Sequence, residues 1–147
     1  MKSVAEILRS KPDQTVYNIA PGVSVYEALR LMADKNIGAL LVVEEGKIVG
    51  ILSERDYARK VVLMDRSSKQ TAVREVMTSP VMYARPDQTN EECMALMTDN
   101  RLRHLPVIDN GRLLGLVSIG DLVKDIISEQ QFTIEQLQHY IQGDHRA

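Results

Sequence analysis

Two short stretches carry residue types that could do chemistry together: Ser53-Glu54-Arg55-Asp56 and Ser118-Ile119-Gly120-Asp121. Each places a hydroxyl and a carboxylate three positions apart, directly after an apolar run. At the start of a helix, unpaired N–H groups and the positive end of the peptide dipole receive phosphate, and a serine hydroxyl assists. A carboxylate nearby accepts hydrogen bonds from the two hydroxyls of a ribose, as acidic residues do in dinucleotide folds. The same spacing is also that of a capping box, in which the serine caps the helix and the acid reaches back to the backbone. The motif therefore reads either as a helix cap or as a nucleotide site.

Other candidates for chemistry are weaker. The chain has neither GxxxxGK[ST] nor GxGxxG, and Gly115-Leu116-Val117-Ser118-Ile119-Gly120 misses the GxSxG nucleophile elbow because Leu occupies position 116. Cys93 falls on an expected buried helix face with no base beside it and reads as a small core residue. His139 and His145, with Glu135 or Asp144, lie on an expected helix and tail without i, i+4 pairing, so no metal site is expected. No catalytic residue is assigned, and the chain is expected not to be an enzyme.

The elements that must position the two motifs occur twice. Gly46 and Gly111 stand 65 positions apart, and the same shift relates Pro21 to Pro86, Glu27 to Glu92, Met32 to Met97, Leu40 to Leu105 and Val42 to Val107. Each copy opens on an extended piece, Val16 to Ile19 or Val81 to Ala84. Ser24 and Thr89 are good N-caps, with Glu27 and Glu92 at capping-box spacing, so a helix is predicted after each, ending near Asn36 or Asn100. Ala39 to Val43 and His104 to Ile108 then form hairpins with Lys47 to Leu52 and Arg112 to Val117. Asn110-Gly111 is a strong hairpin signal because both residues tolerate positive φ. Near-continuous apolar strands predict a sheet covered on both faces. A helix follows each motif, over Arg55 to Leu63 and Asp121 to Ser128.

Upstream of each copy lies a short helical echo: Val4, Ile7 and Leu8 answer Val73, Val76 and Met77, here 69 positions apart. Asp65 to Gln70 reads as a polar linker. Phe132, Ile134, Leu137, Tyr140 and Ile141 form an apolar stripe on a tail helix predicted to start near Thr133, and Gly143 to Ala147 is expected to fray. The fold class is α/β (α+β): two repeats of β-α-β-β-α over 1-66 and 67-130, and a C-terminal helix and tail over 131-147. A repeat of about sixty residues is marginal alone, so the copies are expected to pack around an approximate two-fold axis with two related clefts.

Composition narrows the function. Hydrophobic residues at 44% and charged residues at 26% fit a globular chain, and a net charge of −2 without Lys/Arg clusters argues against nucleic acid. A single cysteine excludes an internal disulfide, the first residues lack a signal-peptide layout, and no apolar run approaches a membrane span. The expected setting is cytoplasmic.

Gly50 to Asp56 (GILSERD), Arg103 to Asp109 (RHLPVID) and Gly115 to Asp121 (GLVSIGD), in this order of elements, resemble a cystathionine-β-synthase-type (CBS) domain pair, the Bateman module, over Val4 to Ser128. The resemblance implies a stand-alone regulatory module that binds an adenosine ligand, with AMP the first choice and ADP, ATP, NAD or S-adenosylmethionine the others, in signal transduction or energy sensing. It also implies a homodimer and a regulated protein partner that the sequence does not identify. Carried over by position, Asp121 holds ribose and Ser118, Ile119 and Gly120 lie near phosphate, with the adenine near Val16, Tyr17, Ile37, Gly38 and Ala39. In the mirror cleft Asp56 holds ribose and Ser53, Glu54 and Arg55 line the phosphate side, with Val81, Met82, Leu102 and Pro106 near the base. Arg103 and His104 stand where the family often places phosphate-contacting basic residues; the first copy has Gly38-Ala39 there, so the clefts should differ in phosphate affinity. The rival reading is a structural dimerisation module whose clefts are vestigial.

Overall fold

The structure, a computed structural model, describes residues 2–141. The chain divides into two compact units. One comprises Thr15–Met82; the other joins Met1–Gln14 to Tyr83–Ala147.

In the first of these units the short strand β1 (Asn18–Ile19) pairs in parallel with β2 (Ala39–Glu44), which pairs antiparallel with β3 (Lys47–Ser53). The helix α2 (Val25–Lys35) lies between β1 and β2 in the chain. Its N-cap is Ser24, whose hydroxyl accepts the Glu27 N–H, and it ends on Asn36 in the left-handed region. A short polar residue tolerates that conformation better than most. Val25, Ala28 and Met32 of α2 bury against Leu40, Val42 and Leu52 of the sheet and against Val61, Val73 and Val76. After β3 the chain enters a helical segment, α3 (Glu54–Tyr57), that widens into a π turn over Ala58–Val62.

The other unit repeats this plan. Helix α4 (Asn90–Asn100) is capped by Thr89, with the Glu92 carboxylate reaching back to the Thr89 N–H, and β4 (His104–Asp109) pairs antiparallel with β5 (Arg112–Ser118). Both hairpins turn on a positive-φ pair, Glu45-Gly46 and Asn110-Gly111, and both shift register at the same place, between Val42 and Val43 and between Val107 and Ile108. The core is Cys93 and Met97 from α4, Leu105, Val107 and Val117 from the strands, Leu122, and Val4 and Ile7 from α1 (Val4–Arg9). The Val4 N–H donates to the Gln88 carbonyl, seating α1 in this unit. Val73 and Arg74, its echo, donate to the Val23 and Pro21 carbonyls of the first unit. Each helical echo thus belongs to the unit of the opposite repeat.

Gly50 and Gly115 explain why the strands carry glycine there. A Cβ on Gly50 would lie 2.5 Å from the Met77 sulfur, and one on Gly115 would lie 3.1 Å from both Leu8 methyl carbons. The helical echoes therefore pack directly over the strand backbone.

Three expectations need correction. The extended piece over Val81 to Ala84 makes only a single bridge, Ala84 to Val107, and Val16 and Tyr17 lie outside β1. Pro80 before the second piece, and Pro86 and Pro21 just after the two pieces, each lack an N–H and so limit how far the ladders extend. The helix after the second motif does not stop near Ser128. Helix α5 runs unbroken over Ile119–Ile141, so no separate tail helix starts near Thr133. The Thr133 hydroxyl donates to the Glu129 carbonyl one turn back instead of capping a new helix, a bond that threonine makes readily within a helix. The expected fraying over Gly143 to Ala147 lies outside the described residues.

Candidate functional site

Both Ser-x-x-Asp motifs sit where a strand becomes a helix. In the first unit, Ser53 closes β3, its hydroxyl accepts the Asp56 N–H at 3.2 Å, and Asp56 Oδ2 accepts the Ser53 N–H at 2.9 Å and hydroxyl at 3.1 Å. Asp56 Oδ1 accepts the Thr78 hydroxyl at 3.2 Å and faces Lys60 Nζ at 3.1 Å. The Lys60 ammonium also donates to the Val76 carbonyl. Asp56 is only 9% exposed, and both of its oxygens are engaged.

In the other unit, Asp121 Oδ2 accepts the Ser118 N–H at 2.8 Å, and the Ser118 hydroxyl accepts the Asp121 N–H at 3.1 Å. Lys11 Nζ, from the segment after α1, lies 3.0 Å from Asp121 Oδ2 and donates to the Leu116 carbonyl. Among the described residues these bonds all run through Oδ2. Both carboxylates therefore close capping boxes, but only Asp121 keeps an oxygen outside its box and ion pair.

The loop before the middle strand meets each helix start. The Glu54 N–H donates to the Gly38 carbonyl at 3.1 Å, and the Ile119 N–H donates to the Arg103 carbonyl at 2.8 Å. This brings Ile37, Gly38 and Ala39 beside Ser53 to Asp56, and Leu102, Arg103 and His104 beside Ser118 to Asp121. Next to the first group a cavity of about 300 Å³ is lined by Leu29, Met32, Ala33, Asn36, Ile37, Gly38 and Glu54. Tyr17 packs on the core of its unit, and its carbonyl accepts the Leu41 N–H. Pro106 is buried and accepts the Ala84 N–H. Val16 is half-buried, and Val81 and Met82 end the unit that holds Asp56.

Electrostatics differ between the two helix starts. Arg103 and Gly120 are exposed, and Gly120 stands between Ile119 and Asp121, whose N–H groups donate to the Arg103 carbonyl and the Ser118 hydroxyl. His104 opens β4 opposite Ser118. Burial lowers its pKa below the ordinary 6.5; Asp121 opposes that shift, and Lys11 and Arg103 add to it. The ring is therefore neutral near pH 7 and offers one donor and one acceptor. A histidine with a depressed folded pKa leaves the unfolded chain binding more protons, so stability is full above 6.5 and declines as pH falls through the folded value. A proton NMR titration is expected to give His104 a midpoint below 6.5, and His104→Gln should flatten the acid limb of the stability profile.

Sequence reasoning missed the partners Lys11, Lys60 and Thr78. Lys60 carried a local signal, standing four residues after Asp56 on one helix. Lys11 and Thr78 carried none, because only the fold brings them to the motif. Cys93 is fully buried, and burial, with the neighbouring Glu92, pushes its thiol up to about 11. It is the core residue that its position on α4 indicated. Among the described residues no group of three His, Cys, Asp or Glu is placed to hold a metal ion, and no helix is long and apolar enough to cross a membrane. Asp144 and His145 lie outside the described residues.

Two duplicated units, each with a strand-to-helix Ser-x-x-Asp start, define a tandem CBS architecture. The CBS domain family model matches residues 4–63 and 73–128, and the chain belongs to that family. It is 42% identical over 125 residues to the mitochondrial CBS domain-containing protein CBSX3 of Arabidopsis thaliana, covering 82% of this chain and 61% of that protein. The Bacillus subtilis CBS domain-containing protein YhcV is 33% identical, over 88% of this chain and 89% of its own length. A solved Burkholderia ambifaria protein with CBS domains, described as a candidate signal-transduction protein, is 59% identical with a TM-score of 0.86, over 90% of this chain and 99% of that one.

Proposed function

We propose that this is a regulatory CBS-pair protein of the cytoplasm that binds an adenine nucleotide, AMP first among the candidates, and works as a homodimer in signal transduction or energy sensing without chemistry of its own. The observation that supports this most is the helix start at Ser118 to Asp121. There an exposed Gly120, an exposed Arg103, a neutral His104 and a carboxylate with one oxygen outside its cap lie together. Arg103 supplies forked donors to phosphate, the helix end supplies N–H groups and a positive dipole, and Asp121 Oδ1 takes a ribose hydroxyl. The equivalent start at Ser53 to Asp56 has no basic pair and a fully engaged carboxylate, so it binds more weakly. The likeness to the Burkholderia ambifaria protein supports a signalling role.

A second reading, a structural dimerisation module, is favoured by the closed capping boxes at both aspartates. A melting screen with AMP, ADP, ATP, NAD and S-adenosylmethionine separates the two. A ligand specific to the native state adds about 2.7 kcal/mol at a hundredfold excess over its Kd, a rise of roughly 5–10 °C for a chain of this size. No shift with any of the five would reject the nucleotide reading, and turnover of a bound nucleotide would reject a purely regulatory one.

A further inference from the structure

Helix α5 presents a second apolar face that its own unit does not use. Leu122 and Asp125 turn inward and are buried, whereas Val123, Ile127, Ile134, Leu137 and Ile141 are 40%, 49%, 53%, 54% and 80% exposed. From Gln131 to Ile141 every residue is exposed. Most helical stability in proteins comes from packing an amphipathic face, and these last eleven residues of α5 are all exposed within their own unit. Something must cover it.

The spacing says what. Ile127, Ile134 and Ile141 fall seven apart, and Val123, Gln130 and Leu137 fall seven apart between them. These are the a and d positions of successive heptads, gathered within about 80° of the helix circumference. Isoleucine at a with leucine at d favours two parallel strands. Gln130, the one polar residue in the seam, meets its own counterpart only in a parallel, in-register pair, where the two amides can hydrogen-bond to each other. The flanking positions also suit self-pairing. Ile119 would face Lys124, Ile126 would face Gln131 and Thr133 would face Gln138 of the second copy, so no like charges oppose each other.

We infer that α5 pairs with α5 of a second copy as a parallel two-stranded coiled coil along Val123, Ile127, Gln130, Ile134, Leu137 and Ile141. This deepens the homodimer part of the proposed function and is independent of its nucleotide part. The test is sedimentation equilibrium of the full chain and of three variants. The parent chain is expected to be a dimer. Ile134→Glu with Leu137→Glu should raise the dimer dissociation constant at least about a hundredfold, since pairing would bury four unmatched carboxylates. Phe132→Glu, off the seam, should leave the dimer intact. Gln130→Cys should link to its own copy with a short bismaleimide, while the buried Cys93 stays unreactive. Circular dichroism with a retained cooperative melting transition, at a midpoint lowered where the dimer is lost, shows that each variant folds. A folded Glu pair variant that stays dimeric overturns the seam but leaves the homodimer; a monomeric parent chain overturns both. A dimer whose Gln130→Cys form does not link overturns the parallel register.

Discussion

Replacing Asp56 by alanine is expected to destabilise the protein by about 2–3 kcal/mol, although the residue lies in a motif that invites a ligand role. Its carboxylate accepts the Ser53 N–H and hydroxyl on one oxygen, and the Thr78 hydroxyl and Lys60 ammonium face the other. Alanine removes a cap, worth about 1 kcal/mol, and strands donors in a nearly dry setting, at about 1–3 kcal/mol for the group that stays buried. Lys60 offsets part of the loss, because its side chain is 43% exposed and rehydrates. Asp56→Asn keeps an acceptor and much of the shape, and should lose less than half as much. Urea denaturation at constant m-value checks both. An Asp56→Ala protein as stable as the parent would show that these bonds are not maintained in solution.

The legibility of the chain follows the range of the interactions involved. Ser24 and Thr89 were recognisable as caps because their partners lie three residues on, and Asn110-Gly111 fixed a hairpin because positive φ is an intrinsic preference. Repetition then carried each assignment to the other copy. What failed was what repetition or local pattern cannot carry. The tail stripe was correctly apolar, but continuity of α5 through Thr133 depends on the absence of a break, and a threonine followed by Gln136 imitates one. Asn90 is a further departure from symmetry. It stands where the first copy has Val25, and it is buried, with Nδ2 donating to the Leu122 carbonyl and to Asp125, which in turn pairs with Lys2. Its Oδ1 is buried without a partner. Nothing in the spacing of the helix foretells a polar cluster there, since its members come from three distant stretches. The motif itself stayed ambiguous for a related reason: capping and ligand binding need the same serine and the same acid, and only the surrounding partners tell Asp56 from Asp121.

That difference gives the second large effect. Asp121→Ala is expected to abolish most of the nucleotide-induced stabilisation, about 2.7 kcal/mol at a hundredfold excess over Kd, while lowering the stability of the free protein by only about 1 kcal/mol. The smaller structural loss follows from Asp121 being half-buried and bonded through one oxygen, to Ser118 and Lys11, both within reach of water. The larger ligand loss follows from the ribose, whose two hydroxyls are best met by a charged acceptor, and Asp121 Oδ1 is the carboxylate oxygen left outside the cap. Lys11→Met is the control, because it removes the ion pair and leaves the capping box. A shift lost in Asp121→Ala but kept in Lys11→Met belongs to the carboxylate, whereas loss in both belongs to the ion pair. Calorimetric titration of the parent, Asp56→Ala and Asp121→Ala with AMP counts the sites: the tighter one should vanish only with Asp121. If Asp121→Ala bound AMP as tightly as the parent, ribose would have to be held elsewhere, and the motif would be a pair of helix caps copied with the fold.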